Sequence, residues 1–266
     1  MPEDDRDNWT QADAARQLVS SSDSGNKKQN PFADGDLSSL SMNTGDPIRR
    51  QKTLTEQAAD AIRERIVEGQ FELGEALSDI ALADELGVSK TPIREAFLLL
   101  KNEGLVEVLP KQGTFVFRMT MEQLRQLWEL REILELNSLR LAMRDGGGTM
   151  TRILTPIIER MVKATNEKDP SLFRRCDAEF HGAIIAGSDN KFIQSGYNII
   201  ALRVQVLRNR VSLEAHNWRS LDEHVAVLDY IRTGDTEAAV ESLFKHIRGT
   251  LDAYVAARKT KLNSVA

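Results

Sequence analysis

The segment "RRCDAEFHGAI" (174–184) places Asp177 and His181 four residues apart. On a helix this spacing puts a carboxylate and an imidazole one turn apart on the same face, among apolar neighbours. Two more histidines have similar settings, His224 in "LDEHVAVLDYI" and His246 in "AAVESLFKHI". Each would point inward from an amphipathic helix. Together Asp177, His181, His224 and His246 offer three nitrogens and one oxygen, a donor set suited to zinc and also to nickel, manganese or iron. Taken singly, each histidine reads as an ordinary core or surface residue. Cys176, beside Asp177, reads as an inert buried thiol rather than a ligand.

The elements that must position these groups are helical. "TMEQ" at 120–123 has the form of a capping box, with Thr120 as cap and Gln123 three residues on. Beyond it the pattern predicts helices at 121–144, 151–166, 170–186, 190–213, 218–232 and 236–258, broken at "DGGGT", "EKDPS", "GSDN", "LEAHNW" and "TGDT". Upstream, Ala58, Ile62, Ile66 and Val67 form one stripe, and Gly69 supplies a stop. Ser78 can cap a short helix ending near Gly87, and Ser89 a longer one ending near Gly104. Ile93, Phe97, Leu98 and Leu100 of that longer helix are expected in the core. "LVEVLPKQGTFVFR" alternates on both sides of "PKQG" and reads as a hairpin.

The expected fold is therefore mostly α. A winged helix-turn-helix spans 48–118, and a six-helix, all-helical domain spans 119–260. Residues 1–47 are rich in Ser, Asp, Asn and Gly and read as a disordered arm, with a short helix conceivable at 9–18 and Lys27 and Lys28 available to DNA or a partner. The 266 residues carry a net charge of -5, so any DNA binding must come from a local patch. No apolar run is long enough to span a bilayer, the N-terminus is acidic, and there is a single cysteine. These features point to a cytoplasmic protein without a membrane partner.

"GVSKTPIREAFLLLKNEGLVEVLPKQGTFV" resembles the DNA-binding domain of the GntR family of bacterial transcription regulators, with Ser89, Thr91, Pro92, Arg94, Glu95, Ala96, Gly104 and Gly113 in register. Lys90 stands where the family more often has Arg, and an ammonium cannot make the bidentate fork to guanine. The resemblance implies a recognition helix that meets DNA through Ser89, Lys90, Thr91 and Arg94. Lys111, Gln112 and Gly113 would form the wing tip against the adjacent backbone. From about Thr120 to Arg258 the chain resembles the FCD ligand-binding domain of the FadR-type branch. Asp177/His181, Glu223/His224, Gly234/Asp235/Ala238 and His246 fall on its pattern, and a short linker at 116–120 suggests the VanR-like subgroup.

This second resemblance implies a divalent metal, zinc first, held by Asp177, His181, His224 and His246, which anchors a small carboxylate effector. Arg131 and Glu135 match the family's Arg-x3-Glu. Arg131 is the expected second anchor, and Arg203 and Asn209 are further pocket candidates. His216 fits no motif position. The function implied is a homodimeric, ligand-responsive repressor on a palindromic operator. Two alternatives stay open, a DNA-binding protein with a purely structural metal and a metal-dependent hydrolase. The latter lacks an HExxH, a Ser/His/Asp arrangement or a Gly-rich phosphate loop, and Glu179 should point away from the Asp177/His181 face.

Overall fold

A computed structural model describes residues 51–210 and 214–263. The expected arm at 1–47 and the side chain of His216 lie outside the described residues. Helix α1 (Leu54–Glu68) opens on a capping box not foreseen from the sequence, in which Thr53 Oγ1 accepts from Glu56 N at 3.1 Å and Glu56 Oε2 accepts from Thr53 N at 2.7 Å. It closes at Gly69, whose φ of +83° suits a residue without Cβ.

Helix α2 (Asp79–Leu86) is capped by Ser78 and stopped by Gly87 as expected, and α3 (Lys90–Asn102) follows after the three residues 87–89. Ser89 holds the cap position of α3 by backbone geometry, but its side chain makes no capping bond, contrary to expectation. Leu98 also departs from expectation, with 54% of its surface exposed. Ile93, Ala96, Phe97 and Leu100 are buried at i, i+3, i+4 and i+7, and position 98 falls off that stripe by one 100° step. The hairpin forms from β2 (Val106–Leu109) and β3 (Gly113–Val116), with Val106 opposite Val116. A third strand, β1 (Ala76–Leu77), pairs with β3 and completes a sheet of order β1-β3-β2. Two residues are too few to show a period in the sequence.

The second domain runs through α4 (Met121–Ala142), a 3-10 turn (Met143–Asp145), α5 (Gly148–Asn166), α6 (Pro170–Gly187), α7 (Lys191–Asn209), α8 (Glu214–Thr233) and α9 (Thr236–Asn263). The Thr120/Gln123 capping box is present. Helix α8 already begins at Glu214, inside the segment "LEAHNW" where a break was expected, and an acidic residue and an alanine favour a helix start there. Helix α4 packs on α6, α7 and α9, and α5 packs on α6 and α8. Trp128, fully buried on α4, donates from Nε1 to Ile247 O on α9 at 3.1 Å.

Helix α7 also grips the winged helix. Arg203 Nε donates to Gly104 O at 2.8 Å, Asn209 Nδ2 donates to Val67 O at 2.9 Å, and Arg210 donates to the carbonyls of Ile66 and Phe71. Ile66 and Val67 lie in the last turn of α1, whose carbonyls have no partner within the helix and form its negative pole. Arg174 of α6 pairs with Glu68 at the same end.

Gly104 has φ +74°, and a Cβ there would lie 2.1 Å from Arg203 Nη2. Gly104→Ala should therefore lower stability by about 1–3 kcal/mol in urea denaturation, combining left-handed strain with loss of the Arg203 contact. Gly87→Ala is the control, since Gly87 has φ +67° but open space around it, and it should cost only about 1 kcal/mol. Equal costs at the two positions would show that Arg203 contributes nothing.

Candidate metal centre and nucleic-acid interface

Helix α6 supplies Asp177 and His181, α8 supplies His224, and α9 supplies His246. Four candidate ligand atoms, one from each, lie within 4.8 Å of one another, and all four residues are buried. His224 Nε2 is 3.3 Å from Asp177 Oδ1, His181 Nε2 is 3.7 Å from the same oxygen, and His246 Nε2 is 3.2 Å from His181 Nε2. Donors about 2.0–2.2 Å from a common cation have neighbours roughly 3 Å apart, so this spacing fits a metal.

The tautomers fit as well. Glu135 Oε2 accepts from His181 Nδ1 at 2.6 Å, and Glu223 Oε2 accepts from His246 Nδ1 at 2.9 Å. Both Nε2 lone pairs then face each other, with Arg131 Nη2 also within 3.1 Å of the one on His181, and a shared cation would relieve their opposition. His224 Nε2 is buried and lacks hydrogen-bond geometry to any neighbour. Glu223 thus acts here as the carboxylate that orients His246.

Arg131 reaches the cluster. It is fully buried on α4, donates from Nε to Glu135 Oε1 at 2.7 Å and brings Nη2 to 3.1 Å from His181 Nε2, while Nη1 has no partner. Glu135 is less available than expected for an effector. Its Oε1 is taken by Arg131 and by the Tyr197 hydroxyl at 3.1 Å, and its Oε2 by His181. Burial and the Glu135 carboxylate push the Tyr197 phenol up, so it stays a donor.

Arg203 and Asn209 are not brought to the cluster, because both bond backbone carbonyls of the winged helix. Arg208, between them in sequence, lies there instead, with Nη2 at 3.0 Å from Asp177 Oδ2. "ALRVQVLRNR" holds three arginines in similar local settings, and only the packing of α7 selects among them. Glu179 points away, as expected, and pairs with Arg160 on the surface. Cys176 is buried outside the four-residue group, and burial pushes its thiol up.

Burial alone would raise Asp177, but Arg208 and the imidazoles of His224 and His181 outweigh it and hold the carboxyl well below the usual range. Burial, reinforced by Arg208 and Arg131, pushes His181 well below the ordinary imidazole value. Burial and His224 lower His246 to about 4. These two imidazoles are neutral at pH 7, the form that ligates.

On the winged helix, Ser89, Lys90, Thr91 and Arg94 are exposed along the start of α3, and Lys111, Gln112 and Gly113 are exposed at the wing tip. Because Ser89 makes no capping bond, its hydroxyl and the first N–H groups of α3 are open to a phosphate. A cleft of about 720 Å³ separates α3 from the wing, lined by Thr91, Arg94, Leu98, Lys111 and Gly113 among others. Arg94 Nε donates to Asp79 Oδ2 at 2.7 Å, which pre-positions the guanidinium at this cleft. Glu95 accepts from Thr55 Oγ1 at 2.7 Å and so fixes α3 to α1.

Comparison with known proteins places this geometry among regulators of transcription rather than enzymes. The model for bacterial regulatory proteins of the gntR family matches residues 54–116, and the FCD domain model matches residues 126–249. The gluconate operon transcriptional repressor of Bacillus subtilis (strain 168) is 28% identical over 202 residues, covering 74% of this chain and 83% of its own. An HTH-type transcriptional regulator in the TAR-I ttuE-ttuC' intergenic region of Agrobacterium vitis is 32% identical over 132 residues, covering 48% of this chain and 77% of its own. The solved structure of E. coli McbR/YncC shares the fold, with a TM-score of 0.66 at 21% identity over 77% of this chain and 99% of its own. Among the described residues no helix is long and apolar enough to cross a membrane.

The lowered imidazoles set a pH dependence. Unfolded histidine takes up its proton near pH 6.5, whereas folded His246 refuses it until about pH 4, so metal-free protein should lose stability as pH falls through that window. His246→Gln should flatten this part of a urea-denaturation profile. A profile that keeps its slope would place the proton uptake elsewhere.

Proposed function

The chain belongs to the gntR family of bacterial regulatory proteins and carries an FCD domain after its winged helix, and from that premise we propose a cytoplasmic, homodimeric repressor whose affinity for a palindromic operator responds to a metal-anchored carboxylate. Residues 48–118 would form the DNA-binding domain and 119–260 the sensing domain. The short 116–120 linker favours the VanR-like subgroup. The observation that carries the sensor reading is Arg131, a buried guanidinium directed at a metal-donor nitrogen with Nη1 unpartnered. A cation at the cluster and this guanidinium together call for a shared anion.

A bound divalent cation, zinc first and nickel, manganese or iron by the same donor set, would supply positive charge and open coordination positions to a carboxylate. Asp177, His181, His224 and His246 would hold it, Glu135 and Glu223 would fix the imidazoles, and Arg131 would grip the carboxylate. A carboxylate effector is also consistent with the B. subtilis relative's name, since gluconate is a sugar acid. The signal would leave through α7, which carries Arg208 at the cluster and Arg203 and Asn209 on the winged helix. Effector would bind the two arrangements of α7 with different affinity and so shift their populations.

Ser89, Lys90, Thr91 and Arg94 would enter the major groove, with Lys111, Gln112 and Gly113 on the neighbouring backbone. Dimerisation would cover Leu130 and Ile133 of α4 and Phe192 and Ile199 of α7, which are 41%, 61%, 90% and 69% exposed. Apolar groups of this size exposed on neighbouring helices suit a second copy of the chain.

Zinc-loaded protein should be stabilised in a thermal-shift screen by at least one small carboxylic acid, by about 2.7 kcal/mol at a hundred times its dissociation constant, and chelation should remove the effect. Stabilisation by zinc alone, with no acid adding to it, would point to a structural metal. On its own upstream DNA the protein should saturate at two chains per operator in fluorescence anisotropy. Arg94→Ala should weaken this binding by about 10- to 100-fold without unfolding the chain, and unchanged affinity would refute the assigned groove contact.

A further inference from the structure

One leucine stands among the polar residues that α3 presents to the cleft beside the wing. At about 100° per residue, Thr91, Arg94 and Leu98 fall within about 60° of one another on the helix, and all three line that cleft together with Lys111 and Gly113 of the wing tip. Leu98 is 54% exposed there, whereas Ile93, Ala96, Phe97 and Leu100 are buried on the opposite side of α3. An exposed leucine adds nothing to the fold, and a partner that covers it recovers the burial.

The charge of the domain bears on what that partner is. From residue 52 to 118 acidic side chains outnumber basic ones, and Lys52, Arg63 and Arg65 are held by Asp60, Glu103 and Glu85. Counterion release from DNA phosphates therefore rests on a few cations, Lys90, Arg94 and Lys111 among them. Discrimination then falls more heavily on the fit to base edges. In the major groove the apolar group that unmodified bases offer is the 5-methyl of thymine, and a leucine complements it. Arg94 is fixed at the cleft by Asp79 at 2.7 Å, and Leu98 follows it by four residues. That is a rise of about 6 Å, close to two base steps of about 3.4 Å.

We propose that Leu98 is a specificity-determining residue, which packs on the 5-methyl group of a thymine in each operator half-site about two base pairs from the base met by Arg94. The inference rests on the placement of α3 in the major groove and adds to it a base identity read by an apolar contact. Leu98 is thus left exposed in the free protein because its burial takes place on DNA.

The test is fluorescence anisotropy of the full chain on its own upstream operator duplex, with deoxyuridine replacing thymidine at one position at a time in both half-sites. The exchange removes the methyl group and leaves every hydrogen-bonding group of the base in place. At one position it should weaken binding by about 15-fold, since a buried methyl is worth about fourfold in each half-site. Leu98→Ala should bind the thymidine duplex more weakly by about the same factor and respond to deoxyuridine at that position by less than about twofold. Leu98→Met keeps an apolar side chain of similar volume and should retain the thymidine preference. Insensitivity to deoxyuridine at every position, or a sensitivity undiminished in Leu98→Ala, would overturn the assignment. Arg94→Ala on the same duplex separates the two readings. Weakened binding by that variant without any deoxyuridine effect refutes the Leu98 contact alone, and unchanged binding by both Arg94→Ala and Leu98→Ala refutes the placement of α3 as well.

Discussion

The buried quartet of Arg131, Glu135, Asp177 and Arg208 is the constraint on which the helical FCD domain depends. An ion taken out of water costs several kcal/mol unless an opposite charge and hydrogen bonds meet it. Here α4 brings Arg131 and Glu135, α6 brings Asp177, and α7 brings Arg208, and the pairings Arg131–Glu135 and Arg208–Asp177 close at 2.7 and 3.0 Å. Three helices are thereby held in one register around His181, which donates to Glu135 and accepts from Arg131. The imidazoles of His181 and His246 stay neutral because burial lowers both, reinforced at His181 by Arg208 and Arg131 and at His246 by His224. The burial that closes the bundle therefore also keeps these two ring nitrogens unprotonated.

Helix α7 joins this chemistry to the DNA-binding domain. Its Arg208 faces the cluster, while Arg203, Asn209 and the following Arg210 hold carbonyls at the C-terminal end of α1, at Phe71 and at Gly104. The carbonyls of Ile66 and Val67 are ones a helix cannot satisfy internally, so the contact has a built-in demand for donors. Arg174 adds an ion pair from α6 to Glu68. A displacement of α7 driven from the cluster would reach the winged helix through direct hydrogen bonds, with no intermediate element.

Much of the fold was legible in the chain. Helix periods, the Thr120/Gln123 box, the stops at Gly69 and Gly87 and the alternation around "PKQG" are local signals, and each produced its element. The errors have local causes too. Leu98 is an apolar residue beside the core stripe of α3 whose angular position leaves it exposed, and β1 is too short to show a period. Ser89 is a capping residue type in a cap position whose hydroxyl is left uncommitted.

The sequence by itself determined the membership of the buried His/Asp cluster, because Asp177 and His181 share a helical face by spacing alone and His224 and His246 lie on apolar stripes that must turn inward. It could not decide which arginines enter the site. Arg203, Arg208 and Arg210 have similar neighbours along α7, and a turn of about 100° per residue sends them to different surfaces only once α6 and α1 are packed against the helix. The same holds for the roles of Glu135 and Glu223. Whether a carboxylate binds a ligand or orients a histidine depends on distances across four helices, and tertiary packing alone sets those.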